Sequence, residues 1–233
     1  MKILSLDSSA DVGTVALCED ERLLAEMTVN TGNTHSESLL PTVEAVLKIT
    51  GTDIDDIDLF ACSTGPGSFT GVRIGVATVK GIAYGKEKPC ASISTLEALA
   101  QNLRGFDGII CPVMNARRNQ VYNALFECKD SVITRLTPDR ALSIDELDAE
   151  LAEKDMPVFL CGDGYEITEK GFKHTKVRNV PYRMRLANAY GVAICALDAF
   201  NKGNVVSDSD LVPIYLRPSQ AERERNERLG LNK

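Results

Sequence analysis

The chain has 233 residues, of which 44% are hydrophobic and 25% charged, and a net charge of −7. That length allows one large domain or two small ones, and no apolar run approaches the ~20 residues of a membrane span. An acidic chain is a poor stand-alone binder of nucleic acid.

Seven cysteines stand at 18, 62, 90, 111, 128, 161 and 195, an odd number with no C-x-x-C pair. Most lie in apolar runs, so they read as buried thiols of a cytoplasmic protein, not a disulfide frame or a zinc site. His35 and His174 are the only histidines, so no His-based metal centre is expected. The start, Met1-Lys2-Ile3-Leu4-Ser5-Leu6-Asp7, reads as a strand, too short and too soon acidic for a signal peptide.

Residues 2–29 read as a three-strand meander. The turn after the first strand, Asp7-Ser8-Ser9, is similar to the phosphate loop of the actin-like ATPase and sugar-kinase superfamily. It reads equally as a hairpin loop in which Asp7 caps backbone amides. Thr34 and Glu37 form a capping box for a helix with Leu39, Leu40, Val43, Val46 and Leu47 on one face. Pro41 should bend that helix and Gly51 should stop it. His35 reads as a polar surface residue.

The run from Ile57 to Gly85 reads as strand, glycine turn and helix. Leu59–Cys62 is short enough for a buried strand. Gly65 and Gly67 allow positive φ in the turn. The helix after it, over 70–84, carries Val72, Val76, Val79 and Ala83 as one stripe. Its N-terminus presents unpaired N–H groups that suit an anion. Gly75 and Gly81 sit inside this helix, each costing roughly 1 kcal/mol against alanine. Gly71 lies one turn before Gly75. A flat glycine face either packs on its own sheet or, on the sharper reading, lets a second subunit's helix approach. Three motifs fail here: G-x-G-x-x-G meets Thr70, a Walker loop meets Val72-Arg73, and G-x-S-x-G is absent.

Ser94–Glu97 is a second capping box, opening a helix that ends near Gly105. Residues 109–113 and 120–128 read as strands around the turn 115–119. Ser143–Glu146 is a third capping box, before a short acidic helix. Val158–Gly162 is a buried strand, and Asp163 after it reads as a strand-end turn. Lys170 to Arg185 holds six Lys/Arg and no acid; it reads as a solvated face that could touch phosphate beside a partner. Leu186–Lys202 is the last long helix. Ile214–Leu216 is extended, and the charged tail over 221–229 reads as a loose helix.

ILSLDSS (3–9), THSESLLP (34–41), STGPGSFTGVRIG (63–75), STLEALA (94–100), NARRNQVY (115–122) and PIYLR (213–217) together resemble the TsaB family, in the glycoprotease-like branch of the actin-like ATPase superfamily. The resemblance implies an α/β fold of two actin-like ATPase (ribonuclease-H-like) sub-domains with mixed sheets flanked by helices. The repeat of elements places them at 1–103 and 104–233, with a degenerate second half whose last helices pack back on the first. It implies a non-catalytic subunit of the machinery that forms threonylcarbamoyladenosine on tRNA. Its partners would be TsaD in a heterodimer and TsaE, with a threonylcarbamoyl-AMP synthase completing the pathway. Alone it would form a homodimer, and it would meet tRNA only through the complex.

The implied pairing helices map to 34–49 and 70–84, with His35, Ser38, Leu39, Val43, Gly71, Val72, Gly75, Val76 and Val79 as interface residues. Asp7, Ser8, Ser9, Gly65, Gly67 and Ser68 would be a residual phosphate loop. No cofactor is required on this reading, beyond weak or interface-dependent ATP or ADP. The catalytic relatives carry a metal-binding H-x-x-x-H, whose positions here are Thr95 and Leu99, so no metal and no catalytic residue is expected. The family pattern has Asp where Asn115 stands. The competing readings are an ATP-binding kinase and a peptidase-like enzyme of the same superfamily.

Overall fold

A computed structural model describes residues 1–217 together with Arg225 and Arg228. Most of the tail over 221–229 lies outside the described residues.

The first sheet is built from β1 (Lys2–Asp7), β2 (Gly13–Glu19), β3 (Arg22–Val29), β4 (Leu59–Gly65) and β5 (Cys90–Ser94), in the order β3-β2-β1-β4-β5. β1 runs antiparallel to β2 and parallel to β4, and β4 runs parallel to β5. The two crossovers are α1 (His35–Thr50) and α2 (Phe69–Ala83). The capping box forms as read: the Thr34 amide donates to the Glu37 carboxylate at 3.1 Å. Gly51, at φ +62°, closes α1 with its N–H on the Lys48 carbonyl.

Leu39, Val43 and Val46 of α1 meet Val72, Val76 and Val79 of α2 in a single core over one face of this sheet. Six such side chains contribute roughly 1.5–3 kcal/mol each. They share that core with Leu4, Leu6, Val15, Leu17 and Phe60 of the strands, so the stripe belongs to the chain's own sheet.

The opposite face is covered from the far end of the sequence. α7 (Ala189–Asn201) lays Ala189, Val192, Ala193 and Ala196 over Ile3, Ala16, Leu59, Ala61, Ala91 and Ile93. Small residues let it come close, and buried Ser5 donates to the Ala189 carbonyl at 2.7 Å. The expected start at Leu186 moves to Ala189, because the Asn188 side chain caps the helix by accepting the Gly191 N–H. Beyond α7 the chain returns to the first sheet. Val206 and Cys90 exchange two backbone bonds of 2.8 Å, and Ile214 donates to the Thr64 carbonyl at 2.8 Å.

α3 (Thr95–Gln101) joins the halves. Its Ala98 sits in the α7 core, and Leu96 and Leu99, with Leu103 just beyond, enter the core of the second sheet. That sheet holds β6 (Gly108–Asn115), β7 (Gln120–Asn123), β8 (Phe126–Lys129), β9 (Val132–Arg135), β10 (Arg140–Ser143), β11 (Val158–Cys161) and β12 (Val177–Arg178). Its helices are α4 (Ile144–Ala152), α5 (Tyr165–Gly171) and α6 (Tyr182–Arg185). Its main path, β10-β7-β6-β11-β12, repeats the order of the first sheet, with β8–β9 as an added hairpin on β6.

The single strand expected over 120–128 is two strands. Pro112 in β6 has no N–H to give, so pairing skips from Ile110↔Phe126 to Val113↔Asn123. The Asn123 side chain fills the gap by donating to the Pro112 carbonyl at 3.0 Å. All seven cysteines are free and buried. Burial pushes the Cys18 thiol up to about 12 and the Cys90 thiol up to about 11. No helix among the described residues is long and apolar enough to cross a membrane.

Candidate functional site

The phosphate-loop residues come together at the C-terminal edge of β1 and β4, but they serve one another. Asp7 is 1% exposed. Its Oδ1 accepts the Ser9 amide at 2.8 Å and the Ser9 hydroxyl at 2.7 Å, and its Oδ2 accepts the Ser63 hydroxyl. This is the amide-capping alternative: a carboxylate with its lone pairs engaged inside the fold. Ser8 donates to the Gly71 carbonyl at 2.9 Å. Ser68 donates its amide to the Ser9 carbonyl at 2.7 Å, and its hydroxyl accepts the Gly71 amide.

The glycines of the turn have two different reasons. Gly65 has φ +127° and lies under the Ile214 carbonyl, where a Cβ would come within 2.4 Å. Gly67 is not in the left-handed region; it is small because a Cβ would meet the Ser9 carbonyl at 2.5 Å. The loop expected to cradle an anion is therefore stitched to its neighbour loop and crossed by the 211–217 strap. Tyr215 of that strap stacks on Phe69 with centroids 4.5 Å apart, and Arg73 donates to its hydroxyl at 2.6 Å.

A cleft of about 430 Å³ remains between the two sheets, with Ala10, Asp11, Phe69, Asn115, Arg117 and Asp163 on its walls. Asp163 keeps contact with solvent, yet the walls crowd it. That crowding first, and then the charges of Asp11 and Asp7, push its carboxyl up against the opposing Asn115 N–H bond. Asn115 also accepts the Arg117 amide at 2.8 Å and so shapes the hairpin, in which Arg117, Arg118 and Asn119 all have positive φ. Sequence reading missed Asp11 as a cleft residue; the signal available was its place on the loop that follows β1.

The pairing residues divide differently from expectation. Leu39, Val43, Gly71, Val72, Gly75, Val76 and Val79 are buried within this chain. A Cβ on Gly71 would lie 2.0 Å from the Ser8 carbonyl oxygen, and one on Gly75 would lie 2.5 Å from Ser8 Oγ. The glycine face thus packs on the chain's own β1–β2 loop, and the subunit-boundary reading of it is corrected. His35 and Ser38 are half-buried. His35 Nε2 pairs with the Ala10 carbonyl at 2.7 Å, so it ties α1 to the loop and is not a free surface residue. The outward arcs carry other residues: Leu40 is 47% exposed, Ile49 72% and Tyr84 79%. Ala77 is exposed, and Gly81 has nothing within 4 Å.

Thr95 and Leu99 face the interior of α3. Thr95 is fully buried and its hydroxyl has no hydrogen-bond partner among the described residues; Leu99 packs in the second core. A hydroxyl and an isobutyl group in an apolar wall do not fit a transition metal, so no chemistry is routed through one.

Two sheets in the same strand order, facing each other across a cleft, define the class: an α/β chain of the actin-like ATPase fold. The family model for TsaD, tRNA N6-adenosine threonylcarbamoyltransferase, matches residues 24–224. The chain is 32% identical over 232 residues to the tRNA threonylcarbamoyladenosine biosynthesis protein TsaB of Bacillus subtilis (strain 168), covering 95% of this chain and 96% of that one. It is 29% identical to the protein of the same name in Escherichia coli (strain K12), again covering 95% and 96%. The solved structure of YeaZ from Pseudomonas aeruginosa superposes with a TM-score of 0.81 at 25% identity, covering 92% of this chain and 99% of that one. The chain belongs to the TsaD-type family and, within it, to the TsaB branch.

Proposed function

We propose that this chain serves the formation of threonylcarbamoyladenosine on tRNA as a non-catalytic subunit, pairing with the TsaD transferase through the outward faces of α1 and α2. The observation that carries the reading is the exposed arc of Ala77, Gly81 and Tyr84. Ala77 and Gly81 lie four apart on α2, and Tyr84 follows three residues on as its C-cap. Gly81, with open space above it, gives a partner backbone room to approach. Without that partner the same arc supports a homodimer. TsaE joins the assembled pair, and tRNA is met through the complex. Nucleotide, where it acts, is held at an interface, because Asp7 and the Ser68 amide are already engaged.

The test is co-purification with the transferase subunit, with mass spectrometry of digested tRNA as the readout. Ala77→Arg and Gly81→Arg should each abolish pairing and lower modification while leaving the thermal transition of the chain in place. Undisturbed pairing in both variants, or modification carried out by this chain alone, would refute the reading.

A further inference from the structure

The basic segment 170–185 separates into two groups. Lys170 pairs with Glu166, Lys173 with Asp145 and Arg183 with Glu26, and Arg185 lies over the Tyr165 ring. Lys176 and Arg178 make no side-chain ion pair or hydrogen bond among the described residues, and neither does Lys154. These three line one hollow of about 960 Å³ together with His174, and Asp155 is the single acid on its walls.

The hollow is built, not incidental. Asp148, 2% exposed, accepts the backbone N–H groups of Lys173 at 2.8 Å, His174 at 3.1 Å and Thr175 at 2.8 Å. That carboxylate fixes the loop leading into β12. Val177 then packs against the second core, which turns Lys176 and Arg178 to the other face. Alternate residues of an extended strand stand roughly 6.6 Å apart. Lys154 approaches from the turn between α4 and β11. β12 is an edge of the second sheet, whereas α1 and α2 cover the first.

We propose that this hollow receives the phosphodiester backbone of tRNA; the inference rests on the reading above that the chain works on tRNA. Unpaired cations converging on a polar hollow without a Phe, Tyr or Trp suit phosphates better than a protein hot spot. The net charge of −7 does not forbid it, because fields beyond about 8 Å are screened at physiological salt. The contact is to backbone and so is independent of base sequence.

The experiment titrates tRNA onto the assembled complex at several salt concentrations, with wild type against Lys154→Glu/Lys176→Glu/Arg178→Glu and against the corresponding triple Gln variant. The Glu variant should bind at least about tenfold more weakly. Each phosphate contact contributes about 0.7–0.9 to the slope of log affinity on log salt, so that slope should fall by about 2–3. The Gln variant should move in the same direction, and the thermal transition of both should match wild type. An unchanged affinity and slope overturns the proposal. So does loss of the transferase subunit at unchanged tRNA affinity, which would make the hollow a protein-docking surface. Sedimentation of the complex reports separately on the pairing reading. Should no complex assemble, the pairing reading fails and this proposal falls with it.

Discussion

Three glycines in one helix give a graded test of what α2 packs against. Gly81 faces open space, so Gly81→Ala gains only the helix preference of alanine, about 0.5–1 kcal/mol. For a chain of this size that raises Tm by roughly 1–4 °C. Gly75→Ala gains the same amount but puts a methyl 2.5 Å from Ser8 Oγ and 3.3 Å from Leu6 Cδ1. The Ser8 hydroxyl is held by its bond to the Gly71 carbonyl. Displacing it costs about 1 kcal/mol for the bond and about 1–3 kcal/mol for overpacking, so the net is a loss of about 1–3.5 kcal/mol. Gly71→Ala meets a backbone oxygen at 2.0 Å, in a loop pinned by the Ser68–Ser9 bond. Nothing there can rotate away, and the loss should exceed about 3 kcal/mol. Thermal unfolding of the three variants checks the order. Pairing Gly75→Ala with Ser8→Ala should recover part of the loss, a coupling that a double-mutant cycle measures. If Gly71→Ala proved as stable as Gly81→Ala, the inward packing would be wrong and the subunit-boundary reading would return.

Asp7→Ala should act through folding: it strands the Ser63 hydroxyl and both Ser9 donors, at about 3–5 kcal/mol. Denaturant unfolding showing wild-type stability would contradict this. Asp148→Ala should cost about 1–3 kcal/mol at neutral pH. Burial opposes the charge of Asp148, but the N–H groups of Lys173, Thr175 and His174 outweigh it and hold the carboxyl below the usual aspartate range. A lowered value means the stabilisation is full at neutral pH and is lost as pH falls through that folded value. The gap between wild type and Asp148→Ala should therefore close in acid, and a gap constant from pH 7 to pH 3 would refute the assignment.

Local chemistry was legible where side chain and backbone close on themselves. Thr34 with Glu37 and Ser143 with Glu146 form the boxes their spacing announces. Ser94 caps α3 as read, but its Glu97 turns to Arg135, 38 residues away, which no local pattern records. The direction of the glycine face was written in the sequence, and of its two readings the inward one is what the structure shows. Gly71 and Gly75 alternate with Val72, Val76 and Val79 on one arc, and an arc that is both small and apolar belongs to the core. The break at Pro112 was equally available from the missing N–H. The hollow at β12 was only half visible: Lys176 and Arg178 lie in the basic segment, but Lys154 comes from another turn, and which cations of the segment are neutralised depends on Asp145, Glu166 and Glu26.

The α7 layer has a consequence for how the molecule is made. Ser5 is bonded to a residue 184 positions downstream, and the sheet face it lies on stays bare until that stretch leaves the ribosome. At about 5–20 residues per second the interval between the end of β5 and the end of α7 is roughly 5–20 s. During it a nascent chain holds Ile3, Leu59 and Ile93 open to water. The half synthesised first is the half finished last.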